Sequence, residues 1–198
     1  MRTVTDYTFG VIPMFLLMGA IVSASGMSRE LFRAANSLVG HWRGGLGLAT
    51  IAACGGFAAI SGSSVATAAT FATVAYPEMR RYDYPQSFAA DVIAAGGTLG
   101  AIFPPSTVLA VYGLITQQDI GKLFIAGIAP GLLAVSMYML TIAVIGLTRP
   151  GFLPAGRRSD WRERLAALYD VGPLLFAGMR CLFFSVIPRR SKNRQSVP

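Results

Sequence analysis

The sequence has 198 residues, of which 54% are hydrophobic and only 13% are charged, and its mean hydropathy is +0.55. Soluble domains carry about 25% charged residues, so this composition excludes an ordinary soluble protein and indicates a membrane protein. The net charge of +8 does not indicate nucleic-acid binding, because five basic residues and no acid lie in residues 171–198, without an aromatic-interleaved basic surface. Cys54 and Cys181 are far apart and predict neither a disulfide framework nor a metal site.

The N-terminal part predicts one membrane span followed by a surface helix. Residues 9–25 are apolar and predict a first transmembrane helix within residues 1–27. Residues 28–42 place apolar side chains on one helical face and charged side chains on much of the rest. They predict an amphipathic arm, residues 28–45, at the membrane–water interface. An ordinary loop helix is the alternative.

Residues 46–75 are apolar but are interrupted by Ser61-Gly62-Ser63-Ser64. As helices, residues 46–60 and 64–75 would be about 22 Å and about 18 Å long. Neither length comfortably crosses a hydrocarbon core of about 30 Å. The stretch therefore predicts a re-entrant hairpin rather than two spans.

A second interruption separates the apolar residues 87–100 from residues 107–116. It ends in Pro104-Pro105-Ser106, where two prolines offer no N–H and disfavour helical angles. Residues 87–116 thus predict one broken membrane helix, and residues 123–147 predict an uninterrupted span. These elements occupy residues 46–147 and are followed by a basic segment, residues 148–170.

The distribution of basic residues supports the hairpin. If residues 46–75 re-enter, ten arginines share one side of the membrane, and only Arg2 and Lys122 face the other. A continuous crossing would divide the same residues eight to four. Cytoplasmic loops are enriched in Lys and Arg, so the first arrangement is favoured and its arginine-rich side is cytoplasmic. The ten are Arg29, Arg33, Arg43, Arg80, Arg81, Arg149, Arg157, Arg158, Arg162 and Arg164.

The two interruptions form the candidate site. Non-helical chain at membrane depth is tolerated only inside protein or beside a water-filled cavity. The helix ends before the breaks present carbonyls to a cation, and the helix starts near Ser64 and Thr107 present N–H groups to a carboxylate. Close packing through small residues and a simple proline kink are the alternatives. Hydroxyl oxygens suited to sodium come from Ser61, Ser63, Ser64, Thr98 and Ser106.

Two further residues are candidate functional groups, Asp91 and His41. Asp91, inside an apolar piece, is either an ion ligand or an interfacial residue, and the interfacial reading is favoured. His41 is the sole histidine and is placed at the end of the interfacial arm, remote from Ser63. A serine hydrolase needs its base within hydrogen-bond reach of the nucleophile, so an enzyme is not predicted.

Three ordered segments, residues 54–68, 96–106 and 120–132, carry a family resemblance. They read CGGFAAISGSSVATA, GGTLGAIFPPS and IGKLFIAGIAPGL. They resemble the large membrane subunit of tripartite ATP-independent periplasmic (TRAP) transporters, over residues from about Tyr7 to Asp170.

The resemblance implies an all-α membrane protein that forms the first inverted repeat of an elevator-type, sodium-driven symporter. Residues 46–147 would then form half of its transport domain, and residues 148–170 would be a basic cytoplasmic segment. It implies multi-pass insertion in the bacterial inner membrane, an organic-acid substrate such as a C4-dicarboxylate, a periplasmic binding protein and a small membrane subunit. No catalytic residue and no metal other than sodium are implied. By the resemblance, sodium would be bound by Ser61, Gly62, Ser63, Ser64, Gly97, Thr98 and Pro104, and substrate by Ser63, Ser64, Ser106 and Thr107.

The sequence also departs from this family. Family members are roughly twice as long and carry a second inverted repeat after the position of Asp170. Residues 171–198 form a basic tail that does not resemble the family. We therefore expect a fragment of the permease subunit, with a non-transporting truncated membrane protein or a helical partner subunit as the alternative.

Overall fold

A computed structural model describes residues 25–42 and 44–148, together with the isolated positions 17, 19, 21 and 153. The predicted first span, the basic segment and the tail lie almost entirely outside these residues. The described part contains α-helices and turns, without a strand in these ranges. Its helices are α1 (Met27–Val39), α2 (Gly45–Ser61), α3 (Ser64–Arg81), α4 (Gln86–Ile102), α5 (Thr107–Thr116) and α6 (Ile120–Thr148).

Helix α1 is amphipathic, as its sequence predicts. Its buried side chains include Leu31 and Phe32, each 5% exposed, and they face α2 and α3. Its outer face carries Arg33, which makes an ion pair of 3.2 Å with Glu30. The helix ends at Val39 rather than at the predicted residue 42, and Trp42 follows it as an exposed side chain.

Helices α2 and α3 form an antiparallel hairpin. Phe57 packs edge-to-face on Phe71, with ring centroids 5.7 Å apart, and Ser61 contacts Thr67. Both pairs are centred on Ser64, which is the pattern of two helices folded back on each other. Thus the predicted interruption is present as a helix break at the tip of the hairpin.

Helix α3 continues to Arg81, beyond the predicted end at residue 75. The additional turn and a half carries Tyr76, Glu78, Arg80 and Arg81, so the apolar stretch ends where the sequence indicates but the helix does not. Arginines in a last helical turn interact favourably with its exposed carbonyls, which accounts for the continuation.

Two stretches are long and apolar enough to cross a membrane, Gln86–Thr116 and Ile120–Thr148, while α2 is shorter. Helix α4 packs against α2, α3 and α6, so it occupies the centre of the described bundle. The first stretch is broken before Thr107, as predicted, although α4 continues to Ile102 rather than ending at residue 100. This all-helical architecture with long apolar helices is that of an α-helical membrane protein. Re-entry of the hairpin into the bilayer stays a prediction.

The base of the hairpin is closed by Tyr84, from the turn between α3 and α4. The first turn of α2 lacks a side-chain cap because its N-cap residue is Gly44. The Tyr84 hydroxyl hydrogen-bonds the backbone of Leu46 in that turn, and only 1% of Tyr84 is exposed. Burial raises the pKa of Tyr84 to about 12, although the hydrogen bond to Leu46 acts in the opposite direction.

We expect Tyr84→Phe to lower the free energy of unfolding by about 1 kcal/mol, the net contribution of one hydrogen bond. Because the folded pKa lies above the unfolded value, the native tyrosine stabilises the fold below about pH 10 and loses this effect as pH rises toward about 12. The variant should therefore show a shallower alkaline loss of stability. Thermal unfolding in detergent across this pH range measures both effects, and identical pH profiles for the two proteins would contradict the assignment.

Candidate functional site

The tip of the α2–α3 hairpin is a tight turn built around Gly62. Helix α2 ends at Ser61, and Gly62 adopts φ +59°, a left-handed conformation that glycine accepts without steric cost. Its N–H donates to the carbonyl of Ala58, 2.9 Å away. Ser63 then begins α3 as its N-cap, and its hydroxyl accepts from the N–H of Ala66 at 3.3 Å.

Thr67 orders this tip from one turn inside α3. Its hydroxyl donates to the Ser63 carbonyl at 2.7 Å, which commits its single hydrogen. The hydroxyl of Ser61 lies 3.2 Å from the Thr67 hydroxyl and is therefore the donor in that contact. The oxygen of Ser61 keeps lone pairs for another partner, although its side chain is buried.

The second break leaves two carbonyls of α4 without their usual helical donors. The N–H groups that would bond the carbonyls of Gly100 and Ala101 belong to positions 104 and 105, which are prolines. The hydroxyl of Ser106 replaces one of them by donating to the Ala101 carbonyl at 2.6 Å. The same Ser106 oxygen caps α5 by accepting from the Leu109 N–H at 3.4 Å.

The two breaks meet at one carbonyl. The backbone N–H and the side-chain hydroxyl of Thr107 both donate to the oxygen of Gly62, each over 3.0 Å. These bonds take both lone pairs of that oxygen. They also bring the first turn of α5 against the hairpin tip, so two helix N-termini, those of α3 and α5, lie beside each other.

The absence of side chains on α4 permits this approach. A Cβ placed on Gly100 would lie 2.7 Å from the carbonyl carbon and oxygen of Ser63 and 2.8 Å from the nitrogen of Ser64. A Cβ on Gly97 would lie 2.7 Å from that of Ala68. These separations are shorter than van der Waals contact, so only glycine fits at either position.

Helix α6 supports the break from the other side. A Cβ on Gly127 would lie 3.2 Å from the carbonyl oxygen of Ile102 and 3.8 Å from the ring of Pro104. A Cβ on Gly131 would lie 2.9 Å from the ring of Phe103. Pro104 is thus a buried residue that packs between α4 and α6.

The structure brings together seven of the nine residues predicted for the site, and Thr98 and Pro104 are the exceptions. The contact of Thr107 with Gly62, where the two breaks meet, is called the joint. Backbone or side-chain contacts gather seven predicted residues around it: Ser61, Gly62, Ser63, Ser64, Gly97, Ser106 and Thr107. The hydroxyl of Thr98 donates instead to the Ala95 carbonyl at 2.7 Å and accepts a hydrogen bond from the Tyr138 hydroxyl at 3.1 Å. Its side chain therefore contacts α6 rather than the tip.

Ser64 differs from the other hydroxyls of the joint. Its side chain is half-buried, and it makes no hydrogen bond within residues 25–42 and 44–148. Ser63 and Ser106 act as caps and Ser61 donates to Thr67, so Ser64 has the least committed hydroxyl oxygen at the tip. Among backbone oxygens of the joint, the Gly100 carbonyl is likewise uncommitted, because its usual helical donor would come from position 104, a proline.

Three residues of the joint were not singled out from the sequence. Thr67 lies one turn after Ser63, and that four-residue spacing was the available signal. Gly100 entered the prediction only through the carbonyls at the end of its helix, and the contact of its backbone with the tip was not predicted. Gly19 is buried, and a Cβ there would lie 2.8 Å from the Ser61 carbonyl oxygen, a long-range contact for which the sequence offers no signal.

Ionised side chains do not reach this joint in the described structure. Asp91 is exposed on α4, eleven residues before Ile102, or roughly 16 Å along the helix. His41 packs edge-to-face against Trp42 beyond the end of α1. No group of three or more His, Cys, Asp or Glu side chains clusters in this part of the chain. Any ion at the joint would therefore be held by neutral oxygen atoms.

A sequence profile of the family described as "Tripartite ATP-independent periplasmic transporter, DctM component" matches residues 1–191 of the chain. The chain belongs to this TRAP transporter family. The match passes Asp170, where the resemblance based on motifs ends, and continues into the basic tail. As a member of a family of transporter permeases, the protein is not an enzyme.

Curated relatives in the family include C4-dicarboxylate TRAP transporter large permease proteins of Pseudomonas aeruginosa and Vibrio cholerae. The chain is 46% identical to the first over 166 residues, covering 84% of itself and 38% of the relative. It is 40% identical to the second over 161 residues, covering 81% of itself and 35% of the relative. It is 36% identical to the 2,3-diketo-L-gulonate TRAP transporter large permease protein of Escherichia coli, covering 92% of itself and 41% of that relative.

The chain thus spans well under half the length of these relatives. Its match covers the whole of the described hairpin, the broken helix and α6. The joint of the two breaks is therefore a feature of a TRAP permease segment and not of an unrelated helical protein.

We expect Gly100→Ala to destabilise the fold by about 1–3 kcal/mol, because its methyl group overpacks the backbone of Ser63 and Ser64. Gly56→Ala is the matched control, since its Cβ would meet only Leu31 at an ordinary 3.6 Å. That control should be neutral or slightly stabilising, because alanine favours a helix. Thermal unfolding in detergent compares the two, and equal effects would show that the close approach is not maintained.

Proposed function

We propose that this chain is part of the large permease subunit of a sodium-coupled secondary transporter that takes up organic acids. The observation that carries the proposal is the pair of Thr107 hydrogen bonds that join the two helix breaks at Gly62. Secondary transporters bind ions and substrates between discontinuous helices in this way. Family membership and the names of the relatives support the same reading.

The donor atoms at the joint suit sodium. The Gly62 carbonyl is occupied by Thr107, so we assign Gly62 to the frame of the site and the ion to neighbouring oxygens. The uncommitted Ser64 hydroxyl, the free lone pairs of Ser61 and the Gly100 carbonyl are hard, neutral ligands on both sides of the joint. Ser63, Gly97, Thr98 and Pro104, also predicted as sodium ligands, would contribute through backbone oxygens or through packing.

An organic acid would be held by the adjacent positive ends of α3 and α5. Their first N–H groups carry partial positive charge, which favours a carboxylate. Ser63, Ser64, Ser106 and Thr107 surround these ends and remain the proposed substrate residues. Since relatives named for C4-dicarboxylates show the identities of 46% and 40%, we propose a C4-dicarboxylate or another carboxylate as substrate.

The remaining features of the proposal follow the family. The α2–α3 hairpin would re-enter the bilayer of the bacterial inner membrane, and the chain would cross it several times. In the proposed elevator, α1 would connect a static scaffold to the moving part. A periplasmic binding protein would deliver the substrate, and a small membrane subunit would brace the permease.

The sodium site is tested by Ser64→Ala, which removes the least committed hydroxyl without removing a hydrogen bond. We expect about a tenfold loss of sodium affinity, the effect of about 1.4 kcal/mol. Ser136→Ala is the matched control, because its hydroxyl is exposed on α6 and bonds only its own helix at Leu132. The measurement is the rise in unfolding temperature of the full chain in nanodiscs as sodium replaces potassium.

A sodium-dependent rise that is lost in Ser64→Ala and kept in Ser136→Ala would support the proposal. A stability that does not depend on sodium would favour the alternative, a joint that serves helix packing in a non-transporting protein. Equal losses in the two variants would place the sodium ion elsewhere.

A further inference from the structure

A cleft of about 430 Å³ lies between α1 and the C-terminal half of α3. The residues that α3 contributes, from Thr73 to Arg81, lie nine to seventeen positions from Ser64. Along a helix this is roughly 14–26 Å, so the cleft is separate from the joint of the two breaks. Its walls combine basic side chains with the apolar side chains of Phe32 and Val74.

Three arginines line the cleft, Arg29 and Arg33 from α1 and Arg81 from α3. Arg33 is paired with Glu30 at 3.2 Å, with 73% of its side chain exposed. Across the described ranges, Arg29 and Arg81 take part in no ion pair, and Glu78 is the single carboxylate on the lining. The cleft therefore carries excess positive charge contributed by two different helices.

The position of the cleft relative to the membrane indicates the ligand. Leu38 and Trp42 are 46% and 57% exposed at the end of α1, as expected for an arm that lies in the interface. The positive-inside distribution predicts that Arg29, Arg33 and Arg81 lie on the cytoplasmic side. Anionic lipids are enriched in that leaflet, and basic pockets between helices on the cytoplasmic side bind their head groups. Arginine matches phosphate oxygens by paired N–H donors.

We propose that this cleft binds the phosphate head group of an anionic phospholipid such as phosphatidylglycerol. Arg29 and Arg81 contact the phosphate from opposite walls, while Phe32 and Val74 pack against the glycerol backbone. The lipid phosphate thereby bridges α1 and α3, which are not joined by a direct ion pair at these two arginines. This proposal does not depend on sodium binding at the joint.

The chain offers a matched pair of variants in Arg81→Gln and Arg80→Gln. Both arginines are exposed in the last turn of α3 and both changes remove one charge, but only Arg81 lines the cleft. We expect phosphatidylglycerol to raise the unfolding temperature of the full chain in phosphatidylcholine nanodiscs. We also expect Arg81→Gln to reduce retention of phosphatidylglycerol in native mass spectrometry about tenfold, since one charge-assisted pair is lost. Arg29→Gln should have the same effect, and Arg80→Gln should leave retention unchanged within about twofold.

Three outcomes would overturn the proposal. The first is equal retention by the Arg81 and Arg80 variants when circular dichroism shows both folded, which would indicate unspecific surface charge. The second is an unfolding temperature in phosphatidylcholine nanodiscs that does not change when phosphatidylglycerol is added. The third is full stabilisation by inorganic phosphate in phosphatidylcholine nanodiscs, which would assign the cleft to a soluble anion. Should Arg81→Gln fail to fold, Arg29→Gln on the outer arm decides between these outcomes.

Discussion

The described structure depends on the pairing of backbone groups that the two helix breaks expose. An unpaired peptide group costs several kcal/mol where water is excluded, so a broken helix in a membrane needs partners from elsewhere. Here the two breaks satisfy each other, because Thr107 gives both of its donors to Gly62. Ser106 repairs the Ala101 carbonyl in the same way. The geometry of α2, α3, α4 and α5 follows from this mutual satisfaction.

Small residues allow that pairing to form. Gly97 and Gly100 let α4 approach the tip until backbone contacts backbone, and Gly127 and Gly131 let α6 pack against the second break. A joint built from peptide groups holds its oxygens in fixed positions, because backbone atoms have fewer free torsions than side chains. The same glycines would therefore serve helix packing and ion binding alike. The Ser64 hydroxyl differs from them, because ion binding would use it and helix packing would not.

Sequence reasoning located both breaks because their causes are local. Gly62 favours a left-handed turn, and Pro104 and Pro105 remove N–H groups, so neither position needs knowledge of the fold. The end of α3 at Arg81 was missed because the apolar pattern stops before the helix does. The contact of Thr98 with Tyr138 and the cap that Tyr84 gives to Leu46 join residues forty or nearly forty positions apart. Pairings of that range depend on how helices pack and have no local signal in a single sequence.

The hairpin is pinned at both of its ends. Ser61, Thr67 and Ser63 are linked at the tip, and the Tyr84 hydroxyl links the turn after α3 to the start of α2 at the base. A loop fastened in this way cannot splay without breaking one of the two fastenings. The α2–α3 hairpin would therefore move as one rigid unit, so that a displacement of its base would also displace its tip rather than bend the two helices.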